Sequence, residues 1–192
     1  QVVYAGKNSN TQLEGVNVDY ASIRAANPTV GHFINEEEER GRAKVAVLGT
    51  TVVKNLFGEA NPVGEVMKIN GINFKVIGIL PTKGAGGFRD QDDTVLVPVT
   101  TAQRKLFGSQ FAGTVRFIMT QAESAEGMPQ VERSITELLR QRHRIREGAD
   151  NDFTIRNLTA MANTAAETAK VMSLMLGAIA SISLLVGGIG IM

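Results

Sequence analysis

Two histidines, a run of four glutamates, three closely spaced aspartates and a crowd of arginines are the side chains with which this sequence could do chemistry. His32 and His143 are the only imidazoles, and neither stands in an H-E-x-x-H or at a spacing that builds a nucleophilic triad. Asp90, Asp92 and Asp93, together with Glu36, Glu37, Glu38 and Glu39, could offer oxygen ligands to Ca²⁺ or Mg²⁺. They lack the glycine and the closing glutamate of an EF-hand loop, so a solvated loop and a helix start are the expected roles. There is no cysteine, which removes disulfides, thiolate nucleophiles and cysteine zinc sites. No G-x-x-x-x-G-K-[ST] occurs; Gly6-Lys7 has no glycine loop before it, and residues 84–87 lack both the lysine and the helix of a phosphate cradle. No catalytic residue, cofactor site or metal site is assigned, and ATP is expected to be bound elsewhere.

Arg140, Arg142, Arg144 and Arg146 gather at the end of a predicted helix, where cations face the negative pole of the backbone dipole. An anionic partner surface is the alternative use. Asn157-Leu158-Thr159 matches a glycosylation sequon, but it lies where a helix is expected to start.

Charge decides which partners are excluded and where the chain sits. With 20 basic and 19 acidic side chains and 5% aromatics, there is neither a global field nor a stacking surface for nucleic acid. The mean hydropathy of zero hides an asymmetry, because Lys170 is the last charged residue and residues 171–192 carry none. At about 1.5 Å per residue that stretch spans about 33 Å, the thickness of the hydrocarbon layer. It is expected to cross the bilayer. Within it, Ser183 and Gly187 form a small-xxx-small pair, and Gly188 and Gly190 extend the strip along which a neighbouring helix can approach. No signal peptide opens the chain and Gln1 is not an initiator methionine, so an internal piece of a longer membrane protein is expected.

The elements that position these groups follow from punctuation and period. Residues 1–19 read as a strand or two without an evident partner. Asn35 before four glutamates predicts an N-cap and an acidic first turn. Residues 43–48 predict a buried strand, and Thr50 or Thr51 is expected to cap a helix ending at Gly58. Residues 66–69 and 72–80 flank Asn70-Gly71, a strong hairpin signal. Residues 81–88 predict a mobile loop rich in glycine, followed by a strand at 94–97 and a helix capped by Thr100 or Thr101. A second unit is expected from Gly113: a strand at 114–120, a helix at 129–144 with Val131, Ile135, Leu138 and Leu139 on one face, and a strand at 152–156. From Thr159 one unbroken helix is expected to run to Met192.

Several stretches carry a family resemblance: 43–49 (AKVAVLG), 56–71 (LFGEANPVGEVMKING), 74–80 (FKVIGIL), 91–108 (QDDTVLVPVTTAQRKLFG), 138–145 (LLRQRHRI), 152–157 (DFTIRN) and 181–192 (SISLLVGGIGIM). The chain resembles the MacB-type ABC transporter permeases over nearly its whole length. At 31–34 it has Gly-His-Phe-Ile where the family usually has Gly-Arg-Phe-Phe. The resemblance implies an α+β, two-lobed extracytoplasmic domain followed by a stalk and transmembrane helix. By analogy, residues 1–18 would end the first half of a membrane-proximal lobe, 19–112 would be an inserted distal lobe, 113–157 the second proximal half, and 158–192 the stalk and span.

The function implied is transmission of ATP-driven motion across the inner, cytoplasmic membrane, with most of the chain on the periplasmic side. The implied partners are a second permease copy, an ABC nucleotide-binding domain, the lipid bilayer and, in a Gram-negative cell, a periplasmic adaptor with its outer-membrane exit duct. Asn70, Gly71, Gly86, Gly87 and Phe88 are the candidate partner contacts, because tips on rigid scaffolds carry recognition. The competing readings are a lipoprotein-sorting permease of the same superfamily and a membrane-anchored, metal-dependent hydrolase built on Asp90, Asp92 and Asp93.

Overall fold

The computed structural model describes residues 1–86, 89–108 and 114–190. The chain divides into two units, Gln1–Gln121 and Ala122–Met192.

The first unit is organised by one mixed sheet. Its strands are β1 (Val2–Tyr4), β2 (Lys7–Ser9), β3 (Gln12–Val16), β4 (Val30–Gly31), β5 (Val45–Leu48), β6 (Val66–Ile69), β7 (Ile72–Ile79) and β10 (Thr94–Pro98); a separate pair is made by β8 (Ala85–Gly86) and β9 (Arg89–Asp90). The order across the sheet is β2-β1-β6-β7-β5-β10-β3, with β4 pairing β7. β2 and β3 stand at opposite ends of that row, yet only Asn10 and Thr11 join them. Three Cα steps reach about 11 Å, whereas seven strands laid flat would hold their outer members about 29 Å apart. The sheet is therefore strongly curled.

Both faces of the sheet are apolar, because successive side chains of a strand point to opposite sides. Along β5, Ala46 and Leu48 enter one cluster with Val2, Met67, Ile69, Phe74, Val76, Val95 and Val97, closed by Val52, Leu56 and Phe57 of helix α3 (Thr50–Phe57). Val45 and Val47 alternate to the other face with Ile77, Leu80 and Leu96, where Ala26, Ile34, Tyr20 and Phe33 cover them. Each fully buried large side chain contributes about 1.5–3 kcal/mol. At the β6–β7 turn Asn70 (φ 47°) and Gly71 (φ 81°) both take positive φ, the geometry of a type I′ hairpin, with Ile69 facing Ile72.

Helix α1 (Tyr20–Ile23) lies on the outer face, and α2 (Glu36–Arg40) begins with the expected cap: Asn35 Oδ1 accepts from Glu38 N at 2.8 Å and Glu38 Oε2 accepts from Asn35 N at 3.0 Å. The other two expected caps are corrected. α3 is capped by Gly49, and α4 (Val99–Thr101), which continues into a π-helical stretch Ala102–Leu106, by Pro98. The threonine hydroxyls have tertiary partners instead: Thr51 Oγ1 donates to Asp90 Oδ2 at 2.7 Å, Thr100 Oγ1 to Glu39 O at 2.6 Å and Thr101 Oγ1 to Ala43 O at 2.9 Å.

Three expectations about this unit change. The strands of residues 1–19 are not without partners, since β1 pairs β6 and β3 runs parallel to β10 in the same sheet. Residues 81–88 are not all loop, because β8 and β9 pair as a short finger. Residues 114–120 form no strand. Their alternation is a side-chain pattern, and a strand also needs a neighbour for its backbone groups; Val115, Phe117 and Ile118 stand exposed.

The second unit contains α5 (Met128–Arg142), with Pro129 in its first turn, and α6 (Leu158–Gly190). The strand expected at 152–156 is absent, because side chains of α5 hold the returning chain. Arg140 donates to Arg146 O and Ala149 O, each at 2.9 Å, and to Asn151 Oδ1. His143 Nδ1 bonds the Asp152 carboxylate at 2.9 Å while its ring meets Phe153 edge-on. Asn157 Nδ2 then donates to Glu132 Oε1 at 2.7 Å, tying the residue before α6 to α5. α6 runs unbroken for 33 residues, about 50 Å; the last two residues of the expected helix lie outside the described residues. Its stretch Thr164–Leu184 is long and apolar enough to cross a membrane, and none of it is buried.

Candidate functional site

Two features of the first unit bear on partner contact, a hairpin tip and a finger. The hairpin tip, Asn70 and Gly71, stands exposed, although Asn70 N also donates to Gln1 O at 3.1 Å. The finger is the β8–β9 pair, in which Ala85 faces Asp90 and Gly86 faces Arg89. Gly86 is thus on a strand. Gly87 and Phe88 lie outside the described residues.

The base of the finger is built from the aspartates singled out above. Asp92 is 6% exposed. Its Oδ1 accepts from Lys83 N at 2.8 Å and its Oδ2 from Gly84 N at 3.0 Å. Asp90 Oδ1 accepts from Asp92 N at 2.9 Å, and Asp90 Oδ2 receives the Thr51 hydroxyl. The Thr51 hydroxyl, aided by the Asp92 amide, holds the Asp90 carboxyl below its ordinary pKa. Thr51 N donates to Asp92 O at 3.2 Å, and a Cβ on Gly49 would sit 2.1 Å from that oxygen, so only glycine lets the start of α3 approach this closely. The carboxylates thus tie the turn before the finger, the turn after it and the first turn of α3 together.

A cavity of about 200 Å³ opens beside this base, lined among others by Glu14, Tyr20, Arg24, Lys83 and Asp92. Lys83 Nζ donates to Arg24 O at 2.6 Å. Burial, reinforced by the Arg24 charge and opposed by Asp92, pushes the Lys83 pKa down. Burial, with the nearby Glu14 charge, pushes the Tyr20 phenol up. Sequence reasoning missed Thr51, Lys83, Gly84 and Gly49; the signal available for them was the Asp-x-Asp spacing after a glycine loop, which favours side chain to backbone bonds.

The remaining candidates fall apart in space or in role. Among the described residues no three His, Cys, Asp or Glu side chains gather at metal-binding distance. Of the glutamates of α2, Glu36 pairs with Arg40 and Glu38 with His32 nearby in sequence, while Glu39 Oε2 accepts from Val18 N at 3.0 Å across 21 positions. Of the arginine cluster, Arg140 clamps the chain that follows α5. Ser183 is exposed on α6, and Gly187, Gly188 and Gly190 lie on its last turns.

Residues 1–138 match a protein family described as the MacB-like periplasmic core domain. The chain belongs to that family. A MacB-type macrolide export ATP-binding/permease protein of Bdellovibrio bacteriovorus is 46% identical over 193 residues, covering 100% of this chain and 29% of the relative. One from Chlorobium luteolum is 48% identical over 94% of the chain and 26% of its own length. The pyoverdine export ATP-binding/permease protein PvdT of Pseudomonas aeruginosa is 36% identical over 100% of the chain and 28% of its own length. The chain therefore spans less than a third of these relatives. In fold it resembles the periplasmic region of MacB from Actinobacillus actinomycetemcomitans, with TM-score 0.64 at 23% identity over 86% of this chain and 70% of that one. It also resembles the extracellular domain of the noncanonic ABC-type transporter YknZ from Gram-positive bacteria, with TM-score 0.58 at 18% identity over 76% and 72% of the two chains. The MacB-like core domain here thus has the α+β fold expected of its family.

Proposed function

We propose that this chain is the extracytoplasmic and stalk portion of an ABC exporter permease that carries ATP-driven motion across the inner membrane and docks a periplasmic partner. The observation that carries the reading is α6: 33 helical residues without a break, starting directly after an asparagine bonded to α5. A continuous helix transmits displacement, whereas a flexible joint of equal length absorbs it. The full protein works as a homodimer with an ABC nucleotide-binding domain that hydrolyses ATP, and this domain adds no chemistry of its own. The exposed hairpin tip at Asn70-Gly71 and the finger are the docking elements for an adaptor and, through it, an exit duct. The export names of the relatives support a small-molecule cargo.

The test is a flexible insertion of six Gly/Ser residues between Asn157 and Leu158 of the full-length permease. Expected are normal membrane insertion and ATP hydrolysis with export lost. Full export by that variant overturns the transmission reading.

A further inference from the structure

We infer that Asp92 is a positioning residue, a latch whose carboxylate fixes the direction of the β8–β9 finger against the start of α3. The finger is joined to the sheet by two connections, residues 80–84 on one side and 91–93 on the other. The first contains Gly84, and connections of that kind leave a hairpin free to swing unless something holds them. Here the swing is blocked from both sides at once. The two carboxylate oxygens of Asp92 take one backbone N–H each from Lys83 and Gly84 on the incoming connection, while the Asp92 main chain belongs to the outgoing one. Its carbonyl accepts from Thr51 N and its amide donates to Asp90 Oδ1, whose second oxygen holds the Thr51 hydroxyl. A third tether, Lys83 Nζ to Arg24 O, fixes the incoming connection to the segment after α1. Asp92 and Thr101 are the polar residues buried most deeply among the described ones. Thr101 bonds the Ala43 carbonyl before β5, so of these two Asp92 is the one devoted to the finger.

The side-chain type is set by this role. Two N–H donors converge on one carboxylate, so both acceptors must be oxygen. Asparagine has the same shape but would turn an NH₂ toward one of the donors, losing that bond and opposing two hydrogens. Glutamate would carry the carboxylate past the two amides.

The importance of the latch for partner binding rests on the docking reading above, and the experiment reads finger geometry directly so that the two can fail separately. The chain has no cysteine, so Lys54→Cys in α3 and Arg89→Cys in β9 are its two labelling sites; in the full-length permease any cysteine outside this chain is first replaced by serine, and the pair then accepts spin labels. The pair is measured by pulsed electron resonance in the parent, in Asp92→Asn and in Thr51→Val. Amide exchange of segment 82–93 is followed in parallel. Expected is a narrow distance distribution in the parent that broadens in Asp92→Asn, with exchange at Lys83 and Gly84 faster by about tenfold or more, the factor given by one lost bond to a charged acceptor, and exchange in β5 and β7 unchanged. Thr51→Val, which removes only a hydroxyl, broadens the distribution less and keeps the test available if Asp92→Asn does not fold. An unaltered distribution and unaltered exchange in both variants overturn the inference, and so does acceleration spread equally over β5 and β7, which would make Asp92 a general stability residue.

Discussion

Proline at position 166 tests the load path through α6 most directly. Ala166 is exposed, so replacing it removes no core packing, and it stands eight residues into the helix that begins at Leu158. Proline there deletes the bond from the amide of 166 to the carbonyl of 162 and drives its ring against that carbonyl, costing about 3 kcal/mol. The helix must bend, and proline kinks exceed about 20°. The segment from 167 to 190 is about 36 Å long, so a bend of about 20° swings its far end by about 12 Å. That displacement exceeds the one-turn ratchets of about 5 Å by which packed helices switch, so motion entering one end no longer leaves the other in register. The assay is reconstitution of the full-length permease in liposomes, with ATP hydrolysis and substrate efflux measured on the same preparation and Ala166→Leu as a helix-preserving control. Hydrolysis within twofold of the parent and efflux reduced by about tenfold or more are expected. Parent-level efflux from the proline variant would refute the load-path argument, since no straight helix would remain to carry it.

Gly49→Ala should lower the unfolding free energy by about 1–3 kcal/mol, because the new methyl would lie 2.1 Å from the Asp92 carbonyl oxygen and 2.8 Å from its carbon; denaturant melts of the parent and variant check this, and equal midpoints would contradict the close approach. The finger should also loosen in acid. The Asp90 pKa is depressed from its ordinary 3.8, chiefly by the Thr51 hydroxyl and then by the Asp92 amide, with Lys54 adding a smaller pull. The stabilising contribution is therefore complete above that value and is lost as pH falls through the lower, folded one. A ¹³C carboxyl titration of Asp90 should show a midpoint below 3.8 that rises in Thr51→Val.

What the sequence discloses and what it hides divide along the range of the interaction. The type I′ turn is legible because Asn70 and Gly71 tolerate positive φ whatever surrounds them, and the Asn35–Glu38 box is legible because both partners sit within one turn. The apolar part of α6 is legible because the lack of charge from residue 171 onward is a property of the segment alone. The parallel pairing of β3 with β10 is not, since it joins residues about eighty positions apart and leaves no local mark. The aspartates near 90 show the same limit. Their spacing announces carboxylates with work to do, but only the fold reveals that the ligands are the amides of Lys83 and Gly84 and the Thr51 hydroxyl rather than a metal. The stretch at 114–120 carries a strand's composition without a neighbour to complete it, and composition cannot report that.

The two-residue bridge between β2 and β3 ties the outer strands of the curled sheet together at one end, like the clasp of an open hoop. A tug on any one stave reaches its neighbours through hydrogen bonds and returns round the far side through Asn10 and Thr11. Such a ring resists peeling, because no outermost strand has a long slack tail by which unzipping could begin. The hairpin tip and the finger are consequently carried as fittings on one stiff collar, and whatever seizes either of them takes hold of the whole.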